Sequence, residues 1–258
     1  MKIENYGSGG RTRELMRCLL SLDGEGGAPP WVERIIILPI PTSRDGVHIT
    51  DTDRLICEVL SDISPGDFVA GYAIPPEDVE IVEAQGGVCF DASGDGVFLR
   101  ENARISALGA LGTLLTSCGA SPEDLAIGVV GYGRIGAYLT EMLMYHGGRV
   151  IVYTSNNATR LRLGELGVPT LAYDRGTGVL PEVGALDVLI NTAPIPLGAT
   201  FPEGIGEGLT VIELASGNNF AGVEGVVRLP SIPDRLYPTT AGRIYFEAVK
   251  RAMWRCGV

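Results

Sequence analysis

The feature that most constrains the fold of this 258-residue chain is a glycine-rich segment in its second half. Gly131, Gly133 and Gly136 stand directly after the apolar run Leu125–Val130 and open a segment with helical periodicity, Arg134–Tyr145. The context matters because glycines at this spacing can occur by chance in a chain that has 36 of them. An apolar strand, a glycine turn and an amphipathic helix in this order predict a dinucleotide-binding βαβ unit. A tight turn that binds nothing is the alternative.

Each of these glycines has its own physical reason in such a unit. Gly131 permits the sharp turn, Gly133 lets the backbone approach a pyrophosphate, and Gly136 lets the helix pack closely on the strand. The start of the helix presents free N–H groups to the phosphates. We therefore predict that this loop binds a nicotinamide dinucleotide. The predicted contacts are Gly131, Tyr132, Gly133, Arg134, Ile135 and Gly136.

The end of the next predicted strand, Arg149–Tyr153, bears on the choice of cofactor. NAD sites usually place an acidic residue about 20 residues beyond the first glycine, where it binds the ribose 2′-hydroxyl. Here residues 154–156 contain no acid, and Arg160 and Arg162 follow soon after. Hydroxyl, amide and guanidinium groups suit a 2′-phosphate, so the sequence favours NADP over NAD. For both arginines, and more so for Arg162, a solvated helix face is the alternative. The predicted ligands of the phosphate are Thr154, Ser155, Asn156 and Arg160.

Two further segments follow predicted strands of the same unit. Asn191 and its neighbours come after Asp187–Ile190, and Ala215 and its neighbours come after Thr210–Leu214. In a doubly wound sheet, both segments lie at carboxyl ends of strands, beside the nicotinamide and its ribose. Turn capping is an equally good interpretation of Asn191 and Ser216. The predicted cofactor contacts in these segments are Thr192, Ala193, Pro194, Ala215 and Ser216.

Apolar runs alternate with helix-like stretches along the whole chain, which predicts an α/β fold with largely parallel sheets. We assign residues 1–101 to a smaller flavodoxin-like α/β lobe and 119–235 to a Rossmann-type, doubly wound lobe. Residues 102–118 form a predicted interlobe helix, and 236–258 a C-terminal helix that returns to the first lobe. The first lobe has predicted strands at Ile35–Leu38, Phe68–Gly71 and Val88–Phe90, a weak one at Met1–Tyr6, and helices at Arg11–Leu22, Asp53–Leu60 and Pro76–Gln85. Further predicted elements of the second lobe are Thr159–Leu166, Thr170–Tyr173 and Val226–Leu229.

Composition excludes several function classes. The formal net charge of −11 argues against a general nucleic-acid binder, which needs a basic face. No apolar run approaches the ~20 residues of a membrane span, and the N-terminus lacks a signal-peptide core. Five scattered cysteines and two histidines give no metal site or disulfide framework. We expect a cytoplasmic protein without nucleic-acid, membrane or metal partners.

Several segments, in order over residues 100–256, resemble the A subunit of dipicolinate synthase. They are Asn102–Gly109 (NARISALG), GVVGYGRIG, LINTAPIP, IELASG and YPTTAGRIY. That family is related to the D-isomer-specific 2-hydroxyacid dehydrogenases. The first lobe is similar more loosely, through Gly9–Arg13 and Ile36–Pro41. One departure is Gly217, where the family usually has arginine after the Ala-Ser pair.

The resemblance implies a two-domain, NADP-linked oxidoreductase that works with a flavoprotein-like B subunit. Its reaction would convert a dihydrodipicolinate precursor into pyridine-2,6-dicarboxylate, and a homo-oligomer is common for such two-lobe folds. The alternative is an NAD(P)-binding regulatory or partner subunit without catalysis of its own. Gly217 and the lack of an evident base favour that alternative.

A dicarboxylate substrate calls for arginine forks and N–H groups. Arg11 and Arg13 follow a glycine turn at a predicted helix start, and Arg104 begins the interlobe helix, where a hinge salt bridge is the alternative. Thr42 and Ser43 lie in a loop after a strand, where they either donate to a carboxylate or cap the turn. These five residues are the predicted substrate ligands. The catalytic residues stay unassigned: His48 would be convenient but is more often a structural or surface residue, and Asp45 resembles a turn former.

Overall fold

The computed structural model describes residues 1–24 and 27–256, and it divides into two compact units. The first unit combines Met1–Asn102 with Pro233–Val258, and the second is Ala103–Ile232. Each unit is built on a parallel sheet flanked by helices. The predicted α/β fold with largely parallel sheets is therefore confirmed.

The sheet of the first unit has four parallel strands in the order β1-β2-β3-β4. Ile35, Ile37 and Phe68 face helices α1 and α8 on one side of the sheet, whereas Ile36 and Val69 face α2 and α3 on the other. The central strands β2 and β3 are therefore largely continuous apolar runs, as is usual for strands buried on both faces. The bounds are β1 (Lys2–Asn5), α1 (Gly10–Gly24), β2 (Arg34–Ile37), α2 (Ile56–Val59), β3 (Asp67–Gly71), α3 (Pro76–Ala84), β4 (Val88–Asp91) and α8 (Pro238–Cys256).

The strand order departs from the flavodoxin order 2-1-3-4-5 expected for this lobe. Strand β1 lies at the edge beside β2, with Ile3 opposite Ile35. Both connections, β1 to β2 and β2 to β3, step in the same direction across the sheet, but α1 and α2 lie on opposite faces. The two crossovers therefore have opposite hand, which is uncommon in parallel sheets. The edge position also explains how a strand as polar as β1 forms, since Lys2 and Asn5 are exposed.

The sheet of the second unit has six parallel strands in the order β10-β9-β8-β5-β6-β7. This is the Rossmann order, with β5 as its first strand and the switch point between β5 and β8. Apolar residues of α5, α6 and the second half of α4 pack on one face. Loop residues such as Leu197 and Phe220 cover the other. The bounds are α4 (Gly96–Ser117), β5 (Ala126–Val130), α5 (Arg134–Tyr145), β6 (Arg149–Tyr153), α6 (Asn157–Glu165), β7 (Thr170–Leu171), β8 (Val188–Asn191), β9 (Thr210–Glu213) and β10 (Val227–Arg228).

Helix α4 begins six residues before the predicted start at Asn102. Asp95 caps it, because its carboxylate accepts hydrogen bonds from the backbone N–H groups of Val97 (2.9 Å) and Phe98 (2.8 Å). The division between the two units falls inside this helix, between Asn102 and Ala103. A short helix that the sequence did not indicate, α7 (Ile232–Leu236), precedes α8.

Within residues 1–24 and 27–256, no helix is long and apolar enough to cross a membrane. The same residues contain no cluster of three or more His, Cys, Asp or Glu side chains that could hold a metal ion.

Candidate cofactor and substrate sites

The glycine loop joins β5 to α5 at the switch point of the second sheet. Gly131 has a φ of +89°, and its N–H donates to the carbonyl oxygen of Tyr153 at 2.8 Å. A Cβ atom at Gly131 would lie 2.9 Å from the Cβ of Ala193, and one at Gly136 would lie 2.2 Å from the carbonyl oxygen of Gly131. The turn is therefore left-handed and tightly packed, and α5 starts as close to it as the backbone allows.

Gly133 differs from its two neighbours because a Cβ added there would meet nothing within 4 Å. It immediately precedes α5, and the N–H of Ala137 bonds to its carbonyl oxygen at 2.9 Å. The earlier N–H groups of a helix have no partner inside the helix. Open space beside Gly133 together with these N–H groups fits the pyrophosphate of a dinucleotide. A side chain at this position would fill that space.

Thr192 connects the ends of β8 and β5 below the loop. Its N–H and its Oγ1 both donate to the carbonyl oxygen of Val130, at 2.9 and 2.8 Å. The hydroxyl proton is thus used inside the protein, which leaves the oxygen lone pairs for other contacts. Ala193 is half-buried and Pro194 is exposed in the turn that follows.

A buried amide–carboxyl pair, Asn191 and Glu213, lies at the ends of β8 and β9. The Nδ2 group of Asn191 donates to both carboxyl oxygens of Glu213, at 3.1 and 3.2 Å. Burial raises the pKa of Glu213, and the hydrogen bonds from Asn191 and from the N–H of Ala215 (2.7 Å) oppose that shift. Asn191 Oδ1 accepts from the N–H of Ala193 at 3.1 Å, so Asn191 also caps its turn.

This pair fixes the segment in which Ala215 and Ser216 were expected to contact the cofactor. Ala215 is half-buried with its N–H occupied, whereas Ser216 is exposed and its carbonyl oxygen accepts from Asn219 Nδ2 at 3.1 Å. Sequence reasoning did not single out Glu213. The signal was an acid directly after the apolar residues of a buried strand.

The end of β6 carries the residues expected to bind a 2′-phosphate. Thr154 is buried, and its Oγ1 accepts from the N–H of Asn156 at 3.3 Å. Asn156 caps α6 by accepting from the N–H of Thr159 at 3.0 Å. Ser155 is exposed between them. Thr154 Oγ1 and Asn156 Oδ1 are thus used as acceptors within the protein, whereas the hydroxyl of Ser155 is exposed and residues 154–156 contain no acid.

Arg160 and Arg162 of α6 contact different residues near this strand end. The guanidinium of Arg160 donates to the carbonyl oxygen of Thr154 at 3.2 Å and to Oδ1 of Asn157 at 3.0 Å. The guanidinium of Arg162 lies over the ring of Tyr132, 5.8 Å from its centre. The interpretation of Arg162 as a solvated helix face is therefore incomplete, because this residue contacts the glycine loop.

The five predicted substrate ligands differ in burial and in hydrogen-bond partners. Thr42 is fully buried, and its Oγ1 accepts from the N–H of Tyr72 at 3.0 Å, so it joins two loops. Ser43 accepts from the N–H of Gly46 at 2.9 Å and thereby caps a turn. Arg13 is exposed and donates to the carbonyl oxygen of Ser8. Arg104 is exposed on α4 and belongs to the second unit.

Arg11 is the buried arginine of that set. It lies in the first turn of α1 and is 7% exposed. Its backbone N–H donates to Oδ1 of Asp234 at 2.6 Å, but within the described residues its Nε has no hydrogen-bond partner. Burial lowers the pKa of Arg11, although Asp234 acts against that shift. A buried arginine whose Nε has no acceptor among the described residues is the feature of this unit that most resembles an anion site.

Asp45 and His48 form a histidine–carboxylate pair in the loop after β2. Oδ2 of Asp45 lies 2.8 Å from Nδ1 of His48, and Oδ1 accepts from the N–H groups of Val47 and His48. These hydrogen bonds hold the pKa of Asp45 well below its usual range, and the bond from the backbone of His48 contributes most. Both side chains are about half exposed. The pair is not among the residues predicted to act together, although Asp45 and His48 are only three residues apart in the sequence.

No protein-family model and no curated protein sequence matches this chain. Among solved structures, the A subunit of dipicolinate synthase from Bacillus halodurans is 17% identical, with a TM-score of 0.73 over 98% of this chain and 97% of that chain. The A chain of dipicolinate synthase from Bacillus subtilis is 18% identical, with a TM-score of 0.73 over 99% and 96%. The chain has the fold of the dipicolinate synthase A subunit. A transhydrogenase from Sinorhizobium meliloti is also similar, at 15% identity and a TM-score of 0.56 over 86% and 73%.

The likeness to this dipicolinate synthase fold gives a context for Gly217. Its φ is +100°, and an added Cβ would meet only Asn219 Oδ1, at 3.6 Å. There is space for a side chain, but the backbone conformation strongly favours glycine. The loop after β9 therefore has a glycine-dependent turn at the position where that family usually has arginine.

Proposed function

We propose that this protein is an NADP-dependent oxidoreductase of the same type as the dipicolinate synthase A subunit. Its reaction oxidises a dihydrodipicolinate to pyridine-2,6-dicarboxylate. The observation that carries the proposal is the open space beside Gly133, at the start of α5 and at the switch point of a Rossmann sheet. The whole-chain likeness in fold to the two dipicolinate synthase structures supports the choice of substrate.

The cofactor is held by three parts of the second unit. The glycine loop binds the pyrophosphate, and the segments after β8 and β9 line the nicotinamide end. Ser155, Arg160 and the segment between them bind the 2′-phosphate, since an arginine fork suits a phosphate and no acid repels it. A bound NADP would supply the acceptor for a hydride from the dihydropyridine ring, whose aromatisation supplies driving force.

Loss of a hydride from the ring must be accompanied by loss of a proton. In this proposal His48 takes that proton on Nε2, while Asp45 holds Nδ1 and stabilises the imidazolium that forms. Arg11 binds a substrate carboxylate, with Arg13 as a further cationic contact of the first unit, and Arg104 of the second unit stays a predicted substrate ligand. The hydroxyls of Thr42 and Ser43 are engaged in loop structure and position that region.

Assembly into a homo-oligomer and cooperation with a flavoprotein-like B subunit are part of the proposal. The second candidate function is an NAD(P)-binding regulatory or partner subunit without turnover. Gly217 favours it, because the left-handed turn replaces an arginine that the family usually has near the nicotinamide.

Turnover distinguishes the two functions. The purified protein is mixed with NADP and enzymatically generated dihydrodipicolinate, alone and with a co-expressed flavoprotein-like B subunit. Formation of pyridine-2,6-dicarboxylate with an equal amount of NADPH supports the oxidoreductase. Tight NADPH binding without either product supports the regulatory role.

A further inference from the structure

Four buried side-chain polar atoms of the first unit have no hydrogen-bond partner among the described residues. Two of them, the Nε atom of Arg11 and the hydroxyl of Tyr245, lie on the helices α1 and α8. Arg11 is 7% exposed and Tyr245 is 1% exposed. Leaving such groups unpaired costs free energy, so native proteins satisfy nearly all of them.

The two groups lie on helices that pack closely, because a Cβ atom added at Gly242, three residues before Tyr245 on α8, would lie 2.6 Å from the carbonyl oxygen of Arg11. Burial raises the pKa of Tyr245, and the charge of Arg11 is the largest effect in the opposite direction. Tyr72, which directly follows β3, and Asp234 also act on Arg11. Aromatic contacts fix the phenol, because the ring of Tyr245 lies 5.5 Å from the ring of Phe98.

The nearby carboxylates do not supply the missing acceptor. Asp234 accepts from the backbone N–H of Arg11, and no described carboxylate forms an ion pair with the guanidinium. Asp91 accepts from the N–H groups of Ala73 and Ser93, both at 2.8 Å. Both carboxylates therefore hold backbone turns in place.

The chemistry of the two groups defines what would satisfy them. A guanidinium has five N–H donors and no acceptor, and a phenol hydroxyl donates one hydrogen bond. A carboxylate offers two oxygens in the plane that an arginine fork matches. Arg11 also lies just beyond the carboxyl end of β1, and ligands of parallel sheets bind at that edge.

We propose that Arg11 and Tyr245 form a carboxylate-binding subsite, which takes one carboxylate of a pyridine-2,6-dicarboxylate or of its dihydro form. The choice of the pyridine rests on the proposed function, whereas the carboxylate rests on these two groups alone. Tyr245 lies on α8, so the C-terminal helix contributes directly to substrate binding.

Calorimetric titration with pyridine-2,6-dicarboxylate tests the subsite on the full chain. Tyr245→Phe keeps the ring and removes the donor, and we expect binding about tenfold weaker. Arg11→Gln removes the fork and the charge, and we expect about a hundredfold loss. Arg11→Lys keeps the charge but not the fork and should fall between them. Arg17→Gln is the matched control, because Arg17 is an exposed arginine of the same helix that pairs with Glu14.

The subsite also predicts an effect on stability. Because the Nε of the buried Arg11 has no partner within residues 1–24 and 27–256, Arg11→Gln should leave the melting temperature unchanged or raise it. Wild-type affinity in both Tyr245→Phe and Arg11→Gln would overturn the inference, as would a wild-type protein that does not bind the dicarboxylate. NADPH titration of the same samples reports on the second unit, so failure of the proposed cofactor function is seen separately.

Discussion

Gly133 and Gly136 are three residues apart, but they have different surroundings in the structure. Alanine at Gly136 should therefore affect mainly stability, and alanine at Gly133 mainly cofactor binding. At Gly136, the new Cβ would lie 2.2 Å from the carbonyl oxygen of Gly131. Packed backbone must move by about 1 Å to relieve that contact, because protein interiors are close-packed. Overpacking of this kind costs about 1–3 kcal/mol. We expect Gly136→Ala to lower the melting temperature by at least about 3 °C.

At Gly133, we expect alanine to weaken NADPH binding without lowering the melting temperature. The backbone is extended, at φ −78° and ψ −164°, and nothing lies within 4 Å of an added Cβ. Replacing glycine where the backbone is permissive stabilises by about 0.4–1 kcal/mol through the unfolded chain. The methyl group nevertheless occupies the space assigned to the pyrophosphate. We expect NADPH affinity to fall at least tenfold, or about 1.4 kcal/mol.

Differential scanning fluorimetry and NADPH fluorescence titration of the two variants and the wild type measure both effects. NADPH binding by Gly133→Ala as tight as that of the wild type would refute the position of the pyrophosphate beside Gly133. A wild-type melting temperature for Gly136→Ala would refute the close packing of α5 on its turn.

Three further predictions concern single side chains. Burial raises the pKa of Glu213 in the folded state, so the folded protein binds more protons than the unfolded chain just above pH 4.5. The stability of the protein therefore falls as pH rises above 4.5, and urea unfolding from pH 4 to 8 should show a smaller fall for Glu213→Gln. Parallel curves of stability against pH for the variant and the wild type would contradict the assignment. His48→Gln should lower kcat about 100-fold or more with NADPH affinity unchanged, and an unaltered rate would remove His48 from the mechanism. Burial raises the pKa of Cys89 to about 12, so alkylation at pH 8 should modify the exposed Cys57 first. Mass spectrometry measures the labelling of each cysteine, and equal labelling would show that Cys89 is accessible.

The sequence predicts the local parts of the fold well. The bounds of α5 and β6 agree with the structure, because glycine punctuation and apolar periodicity act over a few residues. The predicted helix at Asp53–Leu60 shortens to Ile56–Val59, since the preceding loop is held by tertiary hydrogen bonds such as that of Thr50 N–H to the carbonyl oxygen of Thr42. Strand order and crossover hand have no local signal, so the edge position of β1 could not be foreseen.

Among the candidate sites, too, local features are predictable and distant pairs are not. The glycine loop is continuous in sequence, so the sequence predicts it. The pair Asn191–Glu213 spans 22 residues, and Arg11 and Tyr245 belong to opposite ends of the chain. The sequence predicts that the C-terminal helix returns to the first lobe, but not which residues of α8 meet α1 and bury Arg11. Such constellations become visible only when the sheet brings strand ends and helices together.

The most direct test of the central claim is the relative affinity of the wild-type protein for NADPH and NADH. Charge-assisted hydrogen bonds to a 2′-phosphate contribute on the order of 1.5–3 kcal/mol each, reduced by solvent exposure. We expect NADPH to bind about tenfold more tightly than NADH, and salt to weaken the preference. Arg160→Ala should remove most of it, and Thr154→Asp should reverse it by repelling the phosphate. Equal affinities for the two cofactors, or no binding of either, would contradict the assignment of this strand end as an NADP site.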